Sequence, residues 1–145
     1  NLLQLIREVV EAMQHTTKTH KLLLELEEIP MINADRDRIE QVLTNLIDNA
    51  IKYAPDTTNV VISSNITGNM VRVCVRDFGD GLSEEAKKNI FNKFYREENH
   101  LNANSLGLGL FICMEIAKLH GGVIEVEGSK GNGATFCLLL PLSEK

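Results

Sequence analysis

The sequence predicts a mixed α/β domain, and three observations carry that prediction. Helical and strand-length apolar segments alternate along the whole chain. Two pairs of neighbouring strand-like segments are each joined by a short Gly-containing turn, as in hairpins. The length of 145 residues, with 43% hydrophobic and 24% charged, suits a single domain over residues 1–145. A chain of that size can take roughly 70% of its unfolded surface out of water.

The elements follow in order. Leu2, Leu3, Ile6, Val9, Val10 and Met13 recur at helical spacing and predict an amphipathic opening helix. Residues 22–26 read as a strand, closed by Ile29-Pro30. Asp35 is a good helix N-cap, and Asp37 favours the positive end of the dipole. A long helix then runs to about Ala54, where Pro55 stops it. Residues 60–66 and 70–77 read as a hairpin around Thr67-Gly68-Asn69. The second strand alternates cleanly, with Val71, Val73 and Val75 on one face and Arg72, Cys74 and Arg76 on the other. Phe78-Gly79-Asp80-Gly81 ends it in a tight loop, and Ser83 caps a short helix beginning at Glu84. Residues 95–106 are polar and aperiodic, which predicts a mobile loop. Gly107-Leu108-Gly109 opens an apolar helix to about Leu119, ended by Gly121-Gly122. Residues 123–127 and 134–140 form a closing strand pair.

Composition narrows the classes of function. A net charge of −5 argues against a general nucleic-acid binder, so no nucleic-acid partner is expected, although a local basic pocket remains open. No apolar run approaches the roughly 20 residues of a membrane span, so no membrane contact by this stretch is expected. Cys74, Cys113 and Cys137 show no paired spacing and read as reduced core thiols of a cytoplasmic protein. With Asn at position 1 and no signal peptide, the chain reads as a piece of a larger protein. No His/Cys spacing suggests zinc. His15 and His20 border a Thr/Lys-rich connection and are expected to be exposed. His100 reads as a solvated loop residue, and His120 sits near a helix C-terminus, where positive charge is favoured.

The chemistry concentrates in three places. At about 100° per residue, Asn45, Asn49 and Lys52 fall within roughly 60° on the long helix. Ile39, Leu43, Leu46, Ile47 and Ala50 occupy its opposite side. An amide oxygen suits a partly hydrated Mg²⁺, and a lysine can neutralise phosphate as a point charge. Tyr53 flanks this stripe. The stripe alone fits a solvated helix face equally well. In the second place, Asp77-Phe78-Gly79-Asp80-Gly81, a partly buried carboxylate can accept from an exocyclic amine such as adenine's, and glycines allow close backbone approach. A plain Gly/Asp turn is the competing reading there. The third place is the helix start at Gly107-Leu108-Gly109-Leu110, where free N–H groups favour an anion. Close helix packing competes with that reading, and the stretch is neither a Walker P-loop nor a Rossmann fingerprint.

Taken together and in order, these stretches resemble the catalytic ATP-binding domain of sensor histidine kinases. That superfamily also holds gyrase, a heat-shock chaperone and mismatch-repair ATPases. Asn45–Tyr53 is similar to the family's asparagine box, and Asp77–Gly81 to its first glycine box. Phe91-Asn92-Lys93-Phe94-Tyr95-Arg96 resembles its phenylalanine box, and Gly107–Leu110 its second glycine box. Gly131-Asn132-Gly133-Ala134-Thr135-Phe136 resembles its terminal hairpin. The resemblance covers essentially the whole chain. It implies a two-layer α/β (α+β) sandwich with a mixed sheet, helices on one face, and an ATP lid between the phenylalanine box and the second glycine box.

The resemblance also implies roles and partners. Asn45 would bind Mg²⁺, Asn49 would help hold metal and phosphates, and Lys52 would contact phosphates. Tyr53 would flank the nucleoside and Asp77 would take the adenine amine, with Gly79, Gly81 and Leu82 shaping the pocket. Phe91 and Phe94 would anchor the lid, and Arg96 would reach the terminal phosphate. Gly107 and Gly109 would present N–H groups to the phosphates, and Leu108, Leu110 and Thr135 would also belong to the nucleotide site. The implied activity is donation of the γ-phosphoryl group of Mg-ATP to a histidine on a separate dimerisation domain, in two-component signalling with a response regulator. Hydrolysing relatives carry Glu at the position of Asn45, and an amide cannot serve as that base.

Two departures bear on the lid. Ser105 stands where the second glycine box usually has Gly, and Glu97 and Glu98 add negative charge after Arg96. They keep open a nucleotide-sensing or partner-binding module of the same fold without transfer. A hydrolysing ATPase or a serine kinase of the superfamily is the third possibility.

Overall fold

The computed structural model describes residues 1–54, 58–92, 109–128 and 131–142. Its elements are α1 (Leu2–Thr16), β1 (Lys21–Leu26), α2 (Arg36–Tyr53), β2 (Asn59–Thr67), β3 (Met70–Asp77), α3 (Glu84–Asn89), α4 (Gly109–Leu119), β4 (Val123–Gly128) and β5 (Ala134–Pro141). The five strands form one sheet in the order β1-β2-β3-β5-β4. β1 and β2 are parallel, and the other pairs are antiparallel. Parallel neighbours need a long crossover, and α2 supplies it. Both expected hairpins are present, β2–β3 and β4–β5.

Local chemistry explains the helix starts. The Asp35 carboxylate accepts from the N–H groups of Asp37 and Arg38, and the Ser83 hydroxyl accepts from Ala86 N–H. Each such cap is worth about 1 kcal/mol.

Two periodicities meet in the core. Val60 and Ile62 of β2, Val71, Val73 and Val75 of β3, and Phe136, Leu138 and Leu140 of β5 recur every second residue and are buried. Against them lie Ile39, Val42, Leu43, Leu46 and Ile47 of α2, at helical spacing, with Leu2, Leu5, Ile6 and Val9 of α1. The result is the expected two-layer sandwich: a mixed sheet with its helices on one face.

Two expectations are corrected, and His120 gains a partner. Cys74 and Cys137 are not separate thiols; they are opposite residues in the β3–β5 register and form a disulfide, with Cα atoms 4.1 Å apart. Sequence spacing concealed this pair because strand order, which the sequence does not display, makes β3 and β5 neighbours. Cys113 is the buried free thiol. His20 is only 5% exposed. Its Nδ1 lies 2.8 Å from Thr19 Oγ1 and its Nε2 3.3 Å from the Ala54 carbonyl, so it ties the approach to β1 to the end of α2. His120 accepts the Asp35 N–H at Nε2 over 3.0 Å, while Nδ1 meets the Ile116 carbonyl at 2.9 Å. An N–H donor needs a ring nitrogen without a proton, so here the ring carries its hydrogen on Nδ1. It clasps the C-terminal end of α4 to the start of α2.

Candidate functional site

One wall of the site is the second half of α2. Its apolar stripe holds the helix on the sheet, which turns Asn45, Asn49 and Lys52 to another flank; Asn45 and Asn49 are half-buried. Lys52 Nζ lies 3.0 Å from Asp48 Oδ2, one turn back. The i, i+4 spacing of Asp48 and Lys52 is the sequence signal of that pair. An i, i+4 pair near the surface contributes only about 0.3–0.5 kcal/mol, so it orients the lysine without committing its charge.

Asn45 has a neighbour on α4. The Cys113 thiol lies 3.9 Å from the Val42 carbonyl and shares a hydrogen bond with the Asn45 side chain. Burial pushes this thiol up to about 12, and the bond to Asn45 works in the opposite direction. The thiol is therefore neutral at ordinary pH, and α4 fixes the inner edge of the Asn45 amide.

The second wall is the end of β3. Asp77 is 3% exposed. Its Oδ1 accepts from Gly79 N–H at 3.0 Å and from Ala134 N–H at 3.3 Å. A carboxylate buried this deeply requires such donors. The two glycines of this corner serve backbone-on-backbone packing. A Cβ on Gly79 would stand 2.4 Å from the Tyr53 carbonyl oxygen, so the loop abuts the end of α2. A Cβ on Gly133, which has φ +75°, would stand 2.3 Å from the Asp77 carbonyl oxygen. Gly131 N–H donates to the Asp80 carbonyl and ties the loop to the β4–β5 turn.

The structure thus brings Asp77, Gly79 and the Tyr53 end of α2 together. Gly81, with φ +77°, completes the turn, and Leu82 is buried in the apolar core behind it. Leu110 packs partly buried against the same core, and Gly109 begins α4. Phe91 is anchored edge-on against Phe136, with ring centroids 6.3 Å apart. Thr135 is not brought to Asp77: it pairs with Arg76, on the sheet face away from α2, and Ala134 is the residue opposite Asp77. A one-residue step along a strand reverses the face. Gly133 and Ala134 are the additional residues of the corner, and their signal was the Gly131–Phe136 stretch itself. Phe94, Arg96, Gly107 and Leu108 lie outside the described residues, as does the loop of residues 95–106.

Comparison with known proteins bears on the family and the fold. Residues 34–144 match the model of the family described as histidine kinase-, DNA gyrase B-, and HSP90-like ATPase. The adaptive-response sensory kinase SasA of Crocosphaera subtropica is 36% identical over 143 residues, 96% of this chain and 37% of that protein. The sensor protein SrrB of Staphylococcus aureus is 38% identical over 112 residues, 76% of this chain and 19% of SrrB. The chain therefore spans about a third or less of the length of these relatives. Among solved structures, the catalytic domain of histidine kinase ThkA superimposes with a TM-score of 0.84 at 34% identity, covering 98% of this chain and 93% of that one. Full-length ShkA in complex with AMPPNP gives 0.84 at 30% identity, covering 100% of this chain and 31% of ShkA. The fold, the ordered boxes and these matches lead to one assignment: the chain belongs to the histidine kinase-, DNA gyrase B-, and HSP90-like ATPase family.

Proposed function

We propose that the chain binds Mg-ATP and presents its γ-phosphoryl group to a histidine on a separate dimerisation domain, as the catalytic part of a sensor histidine kinase. The observation that carries this reading is Asp77: a buried carboxylate held by two backbone N–H groups, in a loop packed directly on the Asn-bearing helix. The donor set fits the ligand. A carboxylate complements the exocyclic amine of adenine, and guanine, with a carbonyl at the matching position, would leave it unpaired at a cost of roughly 1–3 kcal/mol. Neutral amide oxygens suit Mg²⁺, and a lysine suits phosphate. AMPPNP in the ShkA complex supports an ATP-shaped ligand for this fold.

Each residue has a stated task in this reading. Asp77 selects adenine, Gly79 and Gly81 shape the loop around it, and Tyr53 flanks the nucleoside. Asn45 and Asn49 hold the metal, and Lys52 neutralises phosphate charge, with Arg96 reaching the terminal phosphate. Bound Mg-ATP supplies the activated phosphoryl group; the protein contributes positioning and charge. Asn45 is an amide, unable to deprotonate water, so it favours storage of ATP over hydrolysis. A response regulator would receive the phosphoryl group downstream, which the ThkA complex with response regulator TrrA supports. Such a domain works in the cytoplasm, where ATP is available.

The test is transfer from labelled ATP to the dimerisation domain by the whole parent kinase. Acid-labile phosphate on a histidine is expected, together with negligible phosphate release by the chain alone. Nucleotide binding with no transfer would replace this reading with the nucleotide-sensing one, which Ser105 and the acidic lid sequence favour. Steady hydrolysis, or acid-stable phosphate on a partner, would point to the third.

A further inference from the structure

We propose that Cys74 and Cys137 are a reversible thiol–disulfide couple that sets how firmly the β3–β5 ladder holds Asp77, and through it how tightly nucleotide binds. The nucleotide half rests on the reading of Asp77 given above.

The two cysteines sit on the sheet face opposite the helices. Their neighbours along each strand, Val73 and Val75 on β3 and Phe136 and Leu138 on β5, belong to the apolar core, and the cysteines do not. They are nevertheless 5% and 0% exposed. The register explains this. Arg72 on β3 and Glu127 on β4 meet at 3.4 Å, and the line between them crosses β5 at the level of Cys137. Arg76 stands on the other side of Cys74, with its guanidinium 4.8 Å from the Phe78 ring. The Arg72–Glu127 pair thus spans the strand of Cys137 on the face that carries no helix. Such side chains swing aside on fast timescales.

The coupling to the site is short. Asp77 lies three residues after Cys74, and Ala134 three residues before Cys137. Asp77 and Ala134 are the terminal pair of the same ladder, and Ala134 N–H is one of the two donors to the carboxylate. A covalent link at Cys74–Cys137 limits how far the two strand ends can part. Disulfides in ATP-using cytoplasmic proteins are usually transient or redox-sensing, which makes a permanent staple the less natural role.

The exchange balances with a dithiol reductant. One thiolate of the reductant attacks a sulfur of the pair, forms a mixed disulfide and releases the other cysteine as a thiolate, which takes up a proton. The second reductant thiol then displaces the remaining cysteine. Two electrons and two protons pass to Cys74 and Cys137, and the reductant leaves as a disulfide; a low-molecular-weight disulfide reverses the process.

The test uses the whole chain equilibrated in dithiothreitol or in oxidised glutathione. Alkylation after unfolding should report three thiols in the first case and one in the second, since the chain has three cysteines and Cys113 is free. Hydrogen exchange at the Ala134 amide is expected to be roughly fivefold or more faster in the reduced protein, and Mg-ADP affinity roughly three- to tenfold weaker. The double variant C74S/C137S should match the reduced protein in both reagents. Equal Ala134 exchange in the two states overturns the proposal, as does equal affinity where ADP binds. If neither state binds ADP, the nucleotide reading of Asp77 fails, and Ala134 exchange alone decides the fate of the redox couple.

Discussion

Replacing Asp77 separately by Asn and by Ala divides the two tasks of its carboxylate. Oδ1 accepts two backbone N–H groups, at 3.0 and 3.3 Å, in a site that is 3% exposed. Asn keeps an oxygen in that place. Its bonds fall from charge-assisted to neutral strength, a loss of about 1 kcal/mol each, so Asp77→Asn should cost about 2 kcal/mol of stability. Ala leaves both donors buried and unpaired, at about 1–3 kcal/mol each, or roughly 2–6 kcal/mol in all. Ligand binding should respond differently. An Asn whose oxygen serves the backbone turns its NH₂ toward the adenine amine, placing donor against donor. Rotating the amide only transfers that conflict to Gly79 and Ala134. The loss in Mg-ADP affinity should be about 1–3 kcal/mol, a factor of roughly 5 to 150. Urea unfolding and calorimetry measure the two quantities. Wild-type ADP affinity in Asp77→Asn would refute the adenine role, and equal destabilisation by Asn and Ala would refute the hydrogen-bond argument.

Four further outcomes follow from the same geometry. Asn45→Ala should abolish the Mg²⁺ dependence of nucleotide affinity, measured by titration with and without the metal, while leaving metal-free ADP binding within about twofold. Gly79→Ala must displace the Tyr53 carbonyl, since its Cβ would come within 2.4 Å; an overpacking cost of about 1–3 kcal/mol should appear as a lower Tm. Asp48→Asn releases Lys52 from a 3.0 Å ion pair and removes a negative charge beside the stripe, so ADP affinity should rise a few-fold at low salt and return toward wild type at high salt. Cys113, held near 12 by burial, should resist iodoacetamide in the folded chain. Its raised folded value means that the unfolded chain loses this proton first, so its contribution to stability is complete below the ordinary thiol range and declines from there toward about pH 12; Cys113→Ala should remove that part of the alkaline decline in a pH series of urea melts.

Much of this architecture was legible because its signals are local. The alternation of Val71, Val73 and Val75, the Asp35 and Ser83 caps and the stripe on α2 each depend on residues a few positions apart, and each appears where its pattern places it. What escaped is what strand order and tertiary contact decide. Cys74 meets Cys137 only because β5 inserts between β3 and β4. His20 is buried by the far end of α2 although its own neighbours are Thr and Lys. Thr135 and Ala134 differ by one position, and only the register tells which of them stands opposite Asp77.

The contacts between α2 and α4 extend the case for an anion site beyond the helix that carries the stripe. His120 meets the backbone at Asp35, and Cys113 meets it at Val42. Seven residues separate the first and second contact on each helix, running in opposite senses, so the two helices are antiparallel and in step over about 10 Å. Four residues further, the same step carries Gly109 level with Leu46, one residue past Asn45. The first turn of α4 carries no acidic residue, and the dipole at a helix start favours negative charge. On the function proposed above, a helix start level with Asn45, with Asn49 and Lys52 further along the same flank, would suit a polyphosphate with its metal. The same register explains why Cys113 belongs beside Asn45: the thiol is the filler of the seam that keeps the amide and the helix end at matching height.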